Sequence, residues 1–202
     1  MTVAASLPEL DALDLLVVVD NETDTLSSVD EGLPQIPEVL QLAARRAPDR
    51  VHDGPGCKVV MDGLCCACHG YSVLATARRG NDVRRVLFDV GPYADVWLAN
   101  AERLAVDLAS IEAVFLSHWH SDHSGGFPRV IAAIAQARAA AGLPAPLVDL
   151  HPDRPDQRGL MTATGTLLLL GPEPTFAELE AAGGVLVKAG EAPTGRDFFF
   201  RR

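Results

Sequence analysis

The sequence predicts an α/β fold, because short β-branched runs alternate with longer stretches whose apolar residues recur at helical spacing. Residues 71–77 and 86–90 flank a turn at Gly80 and predict a β-hairpin. The apolar run 114–116 predicts a buried strand, and a Gly-Gly pair with an Ala-rich segment after it predicts a strand-to-helix turn. The chain contains no internal repeat and no linker, so we expect one domain.

The amino-terminal half supplies a strand, a loop and two helices in this prediction. Residues 15–20 are a short β-branched run, which is typical of a buried strand, and the polar residues 21–35 are typical of a loop. Residues 37–46 predict a helix. Residues 96–108 predict a second one, since their apolar positions lie three or four apart.

The carboxyl-terminal half continues the alternation of helices and strands. Residues 128–141 predict a helix, because a proline suits its first turn and Gly142 follows its last. Residues 147–150 and 166–170 predict two further strands, and residues 175–182 predict a short helix.

The most informative stretch follows the 114–116 strand and reads Ser-His-Trp-His-Ser-Asp-His-Ser-Gly-Gly. Its potential metal ligands are His118, His120, Asp122 and His123. In extended backbone His118 and His120 share a face and can hold one ion, and the two later residues can reach a second ion. Imidazole and carboxylate are ligands that zinc prefers, and iron or manganese are the alternatives. A His-rich surface loop without a ligand is the competing interpretation.

The His-x-His-x-Asp-His string resembles the signature of the metallo-β-lactamase superfamily. Segments 17–21, 68–72, 87–91 and 100–108 are similar, in the same order, to a subgroup typified by the dihydropterin ribofuranosylaminobenzene phosphate synthases. The resemblance implies an αββα sandwich made of two αβ halves. It also implies a metal-dependent enzyme with two divalent ions, zinc being the expected metal.

The implied chemistry is hydrolysis of an ester, phosphoester or related bond in a small molecule. His118 and His120 would hold the first ion, and Asp122 and His123 the second. A water shared by two ions loses its proton near neutral pH, and Asp122 would be the catalytic group that orients it and moves that proton. The alternatives are a transferase of the pterin synthase type and an inactive, truncated homologue.

Four more residues are candidates for supporting the ligands or lining the substrate side: Asp89, His69, Asn21 and His151. Asp89 ends the 86–90 strand and could fix a ligand imidazole through its other nitrogen, or merely cap a turn. In the subgroup, a His-Gly pair like the one at His69 lies near the mouth of the site, and the loop after Asn21 lies beside the metals. His151 belongs to a His-Pro pair that is not the expected downstream ligand.

The resemblance implies a further metal-binding His, a bridging Asp and a Gly-Cys-x-His motif, yet only one histidine, His151, follows His123. We therefore expect residues 1–202 to form a single metallo-β-lactamase-like domain that lacks its C-terminal part, with the second half incomplete and turnover weak. The uncovered sheet would favour homo-oligomers. A complete compact variant is the alternative.

Composition restricts the partners. A net charge of -10 and a pI of about 4.9 argue against nucleic acids and anionic membranes, and leave a small-molecule substrate. No apolar run approaches the roughly 20 residues that span a bilayer. The first residues carry no positive signal region, which favours the cytoplasm. The cysteines at 57, 65, 66 and 68 are clustered, but their spacing does not favour a metal site, and without an export signal disulfides are not expected.

Overall fold

The computed structural model describes residues 9–23 and 63–188. The helix predicted over 37–46, most of the loop predicted over 21–35, and Cys57 lie outside the described residues. The elements of the described part are, in chain order, β1 (Ala12–Val19), β2 (Ser72–Arg79), β3 (Asp82–Phe88), α1 (Ala94–Arg103), β4 (Ile111–Phe115), α2 (Ser121–Ser124), α3 (Phe127–Ala140), β5 (Leu147–Leu150), β6 (Gly159–Met161), β7 (Leu167–Leu169), α4 (Phe176–Ala181) and β8 (Val185–Lys188).

The main sheet has the strand order β1-β2-β3-β4-β5-β8. β1, β2 and β3 pair antiparallel, whereas β3, β4, β5 and β8 run parallel. Parallel neighbours need a crossover between them, which α1 supplies between β3 and β4 and α3 supplies between β4 and β5. The mixed α/β fold predicted from the sequence is confirmed.

One core joins the central strands to the helices. Trp97 of α1 and Phe127, Ile131 and Ile134 of α3 are fully buried, together with Val114 of β4. The parallel strands β4 and β5 carry apolar residues at most positions, as is typical of strands in a parallel sheet covered on both faces. None of the helices in the described ranges is long and apolar enough to cross a bilayer.

The hairpin, β4, α3, β5 and α4 lie where the sequence predicts them, but β1 is not the buried strand that was predicted. Among the described strands β1 lies at the edge of the sheet, and its buried residues are Val18 and Val19 at its end. Leu13, Leu15 and Val17 are 51%, 64% and 47% exposed. An apolar run predicts a strand, but it does not tell whether another layer covers that strand. The self-association expected from uncovered sheet stays a prediction.

The helix predicted over 96–108 ends at Arg103, five residues early. Ala105 has a φ of 58°, in the left-handed region, so the helix cannot continue through it. Leu104 and Val106 still pack against the core, which explains why the apolar spacing runs past the helix end.

The short strands β6 and β8 were not predicted. β6 pairs antiparallel with β7 in a separate two-stranded sheet, and β8 adds to the main sheet beside β5. Each has only three or four residues, too few for a period-two pattern to be distinguished from a loop.

Candidate functional site

The candidate site lies beyond the carboxyl ends of β3 and β4. These strands are parallel, so Asp89, which follows β3, meets the loop that follows β4. The backbone N–H of Asp89 donates to the carbonyl oxygen of Phe115 at 2.8 Å. Ligand sites of open α/β sheets form at this edge, because several strand ends and helix starts converge there.

Asp89 is the buried centre of this edge. Its side chain is fully buried, and its φ of 55° lies in the left-handed region, which costs a non-glycine residue about 1–3 kcal/mol. The surroundings fix it in place: its carbonyl oxygen accepts from the Ser72 hydroxyl at 2.8 Å, and that hydroxyl accepts from Trp97 Nε1 at 2.9 Å. Asp89 therefore presents its carboxylate in one orientation.

The Asp89 carboxylate determines the tautomer of His123. Asp89 Oδ2 lies 2.7 Å from His123 Nδ1, and an ionised carboxylate only accepts hydrogen bonds, so Nδ1 carries the hydrogen. The other ring nitrogen, Nε2, is then left with its lone pair toward the site. This is the arrangement in which a carboxylate orients a metal-binding imidazole.

Ser117 does the same for His118. Its backbone N–H and its hydroxyl donate to Asp89 Oδ1 and Oδ2 at 2.8 and 2.7 Å. The hydroxyl has then given away its only hydrogen, so it accepts from His118 Nδ1, which is 2.9 Å away. In the neutral ring, Nε2 of His118 then carries the lone pair. One buried carboxylate thus orients two imidazoles, one directly and one through a serine.

His120 completes a cluster of three imidazoles. Its ring centroid lies 4.5 Å from that of His118, and the His123 centroid lies 4.3 Å from that of His118. The sequence predicted that His118 and His120 converge because they share one face of a strand. In the structure β4 ends at Phe115 and His120 is the residue before α2, so the rings converge for another reason.

In the described part of the chain, no group of three or more His, Cys, Asp or Glu side chains is already arranged as a metal site. The residues nevertheless fit a divalent ion in kind and in proximity. The fit is carried by three imidazoles in contact, two of which have Nδ1 hydrogen-bonded elsewhere, so that the neutral ring carries its lone pair on Nε2. Neutral imidazole nitrogen is the donor that zinc prefers beside thiolate.

Asp122 lies between His123 and His69. Asp122 Oδ2 is 3.5 Å from His123 Nε2 and 3.4 Å from His69 Nε2, and the Asp122 side chain is 27% exposed. The His69 side chain is 83% exposed, and its Nδ1 lies 3.1 Å from Asn21 Oδ1, which also accepts from Gly70 N. Asn21, His69 and Asp122 therefore form one solvent-facing side of the candidate site.

The described hydrogen bonds of His151 go to other residues. Its carbonyl oxygen accepts from Trp119 Nε1 at 3.0 Å, and its Nδ1 accepts from the backbone N–H of Asp153 at 3.1 Å. Trp119 itself is buried, edge-on to Phe176. The described contacts of His151 thus fix a loop and a packing residue rather than join the three imidazoles.

The described cysteines are free thiols at the edge of the site. Burial is the main cause that raises the pKa of both the Cys65 and the Cys68 thiols, and the neighbouring Cys66 raises both further. A raised pKa disfavours the thiolate that binds metal. Cys66 Sγ instead accepts from Arg103 Nη1 at 3.2 Å, and Asn100 bonds the Cys66 backbone.

Sequence reasoning missed three residues that hold the site together: Ser117, Ser124 and Glu173. The two serines flank the histidines in the sequence, so the motif itself could have indicated them. Glu173 is 50 positions from His123 in the chain, and no local pattern marks it. It enters the site only through its contact with Ser124.

Glycine is required where the site meets the β2 strand. Gly70 has a φ of 139°, and a Cβ there would overlap the Asp122 carbonyl oxygen and lie 2.6 Å from Pro92 Cδ. We expect Gly70→Ala to lower the free energy of unfolding by about 2–5 kcal/mol, from backbone strain and overpacking together. Urea denaturation measures the change.

Gly142 supplies the matched control for this prediction. Its φ of 68° also favours glycine, but nothing lies within 4 Å of a Cβ built there. Gly142→Ala should therefore cost only about 1–2 kcal/mol, the backbone term alone. Equal losses in the two variants would show that the approach of Gly70 to Asp122 is not tight.

Residues 68–197, more than half of the chain, match the profile of the metallo-beta-lactamase superfamily. The lactamase-like protein vrtG of Penicillium aethiopicum is 33% identical over 108 residues, which are 53% of this chain and 31% of that protein. The atrochrysone carboxyl ACP thioesterase of Aspergillus fumigatus is 29% identical over 143 residues, 68% of this chain and 39% of that protein.

A third relative is the 7,8-dihydropterin-6-methyl-4-(beta-D-ribofuranosyl)-aminobenzene-5'-phosphate synthase of Methanocaldococcus jannaschii. It is 40% identical over 58 residues, which are 29% of this chain and 20% of that protein. The matches therefore span less than half the length of each of these curated relatives.

Proposed function

The chain belongs to the metallo-β-lactamase superfamily, and on this premise we propose that it is a metal-dependent hydrolase of a small-molecule ester, thioester or phosphoester. The observation that carries the proposal is the pair of fixed tautomers. Asp89 and Ser117 occupy Nδ1 of His123 and His118, so both Nε2 atoms are available as ligands at the same edge of the sheet.

The proposed ligands are His118, His120 and His123 with Asp122, and zinc is the proposed metal. Divided between two ions, these four ligands would leave open coordination positions on each ion, which water could fill. We therefore propose a dinuclear site. When bound, divalent ions act as Lewis acids that polarise the scissile bond and lower the pKa of a coordinated water toward neutrality.

The protein's own residues would transfer protons and position the side chains that do so. Asp122 is partly exposed and close to His123 Nε2, so its carboxylate can accept a proton from water and release it to a leaving group. His69 is within 3.4 Å of Asp122 and faces solvent, which suits it to contact substrate or to carry the proton outward. Asn21 holds the His69 ring in place.

The substrate class is inferred from charge and from relatives. The net charge of -10 disfavours polyanionic macromolecules. The Aspergillus fumigatus relative is named as a carboxyl ACP thioesterase, which supports including activated acyl groups among the substrates. The bonds proposed for cleavage share an electrophilic carbon or phosphorus at which a water nucleophile would add.

The test is a substrate panel assayed with the metal-loaded and the metal-free chain. Aryl esters, acyl thioesters, lactones and aryl phosphodiesters are incubated with protein purified without a His tag, then with added zinc or manganese. We expect at least one substrate to be hydrolysed in proportion to bound metal, with loss of the rate on chelation and recovery on metal addition. A metal-loaded chain that cleaves none of these classes would refute the proposal.

A transferase is the second candidate, and one observation favours it. The methanogen relative named as a pterin–aminobenzene phosphate synthase has the highest identity of the three relatives, although over a short segment. A transferase joins its two substrates rather than adding water. Mass spectrometry of the metal-loaded chain with a dihydropterin and a ribosyl phosphate aromatic would detect the joined product.

A further inference from the structure

A buried contact joins the histidine motif to a distant part of the chain. Ser124, the residue after His123, is fully buried, and its hydroxyl oxygen lies 2.5 Å from Glu173 Oε2. The same oxygen lies 3.0 Å from the carbonyl oxygen of His120. The hydroxyl has one hydrogen and two oxygens that could accept it.

The hydrogen goes to Glu173. The His120 carbonyl oxygen already accepts from the backbone N–H groups of His123 and Ser124 at 2.9 and 2.8 Å, and a carbonyl oxygen has two lone pairs. The short distance to Glu173 is the length of a hydroxyl-to-carboxylate hydrogen bond, which is stronger than one between neutral groups. Ser124 is therefore tied to Glu173 rather than to its own helix.

Glu173 is itself held on several sides. It is 4% exposed, and its carboxylate also pairs with Arg158 Nη2. Its carbonyl oxygen accepts from Arg154 Nη2 at 2.6 Å. A buried carboxylate is tolerated only when charged and hydrogen-bonded partners compensate its lost hydration, so the position of Glu173 is determined by these contacts.

The helix that receives this contact does not hold itself in place. α2 has four residues, and His120 before it makes no side-chain cap hydrogen bond. An isolated turn of this length is unstable, so its orientation depends on outside contacts. One is the Asp89–His123 hydrogen bond, supported by the Val90 N–H bonded to the His123 carbonyl oxygen. The Glu173–Ser124 hydrogen bond is another.

We propose that Glu173 is a positioning residue that, through Ser124, fixes α2 and so holds His120 and His123 toward His118 in a metal-binding arrangement. Arg158 pairs with the Glu173 carboxylate and Arg154 donates to the Glu173 carbonyl oxygen, and these two contacts hold the residue in position. The proposal rests on the metal binding of the proposed function. It adds that residues from the segment after β5 determine the affinity of a site whose ligands all lie between β4 and α3.

The test compares Ser124→Ala, Glu173→Ala and their double variant with the wild type. Zinc dissociation constants come from competition with a chromophoric chelator, on full-length protein without a His tag. We expect each single variant to bind zinc about tenfold more weakly, the size typical for loss of a group that orients a ligand. The double variant should be no weaker than either single one, because both remove the same hydrogen bond.

Amide hydrogen exchange in the metal-free protein gives a second measurement. The N–H groups of Ser124 and Gly125 bond within α2, so their exchange should be about tenfold faster in both single variants. Glu173→Gln keeps the size and an acceptor oxygen, and it should bind zinc more tightly than Glu173→Ala. It also serves if the alanine variant does not fold.

Two variants on α4 are the controls. Glu180→Ala removes an exposed carboxylate and should change neither zinc affinity nor exchange. Leu179→Ala removes a fully buried side chain and should lower the melting temperature without weakening zinc binding. Zinc affinity unchanged in Glu173→Ala, or equally weakened in Leu179→Ala, overturns the proposal. If the wild type binds no zinc, the proposed function fails, and the exchange rates alone decide whether Glu173 fixes α2.

Discussion

Replacing His118, His120 and His123 together by alanine is expected to abolish zinc binding. The three rings are in contact, with centroids 4.3 and 4.5 Å apart from that of His118, and no other described histidine contacts them. Among the described residues, Asp122 would remain with His69, whose Nε2 lies 3.4 Å from Asp122 Oδ2, and two ligands fall short of the three or four protein ligands of zinc sites. Elemental analysis after zinc supplementation and desalting should find at least about one equivalent in the wild type and under a tenth in the variant.

His151→Ala is the control for this experiment. His151 is exposed, and its ring bonds only to the Asp153 backbone among the described contacts, so zinc content should not change. Circular dichroism of the metal-free proteins separates lost ligands from lost folding, because His123→Ala also leaves Asp89 without one of its partners. Equal zinc content in the triple variant and the wild type would mean that the motif is a surface loop without a ligand.

Local patterns were sufficient for the parts of the fold that depend on neighbours in sequence. The hairpin of β2 and β3 follows from a glycine turn between two apolar runs, and α3 follows from proline, alanine and glycine at its start, interior and end. The burial of β1 and the end of α1 depend instead on what packs against them. Apolar spacing carries no information about that partner.

The candidate site divides in the same way. The spacing of His118, His120, Asp122 and His123 was enough to predict a cluster, and the structure brings the three rings together. The contact of Asp89 with His123 could be established only from the sheet, because it exists only where β3 and β4 end side by side. The contact of Glu173 with Ser124 could be established only from the folded chain, since Glu173 reaches Ser124 from the segment between β7 and α4.

Replacing Asp122 by asparagine is expected to reduce hydrolysis by about 10²–10⁴-fold, the usual contribution of a general acid–base group. Asparagine has the same shape and keeps a neutral oxygen, but it loses the negative charge and the ability to accept a proton. Asp122 is also a proposed ligand, so Asp122→Ala should lower the rate at least as far and weaken zinc binding as well. Steady-state rates are measured on whichever substrate of the panel is cleaved, at saturating zinc.

Asp153→Asn is the matched control, because Asp153 is an exposed carboxylate on the loop after β5 and is not a proposed ligand. Saturating zinc separates the two roles of Asp122. If Asp122→Asn regained the wild-type rate once its site was filled, the carboxylate would serve only to hold metal, and another group would have to move the proton. His69 would then be the residue to replace next, since its Nε2 is 3.4 Å from Asp122 Oδ2 and its ring faces solvent. A rate that stays low with zinc bound assigns the proton transfer to Asp122 itself.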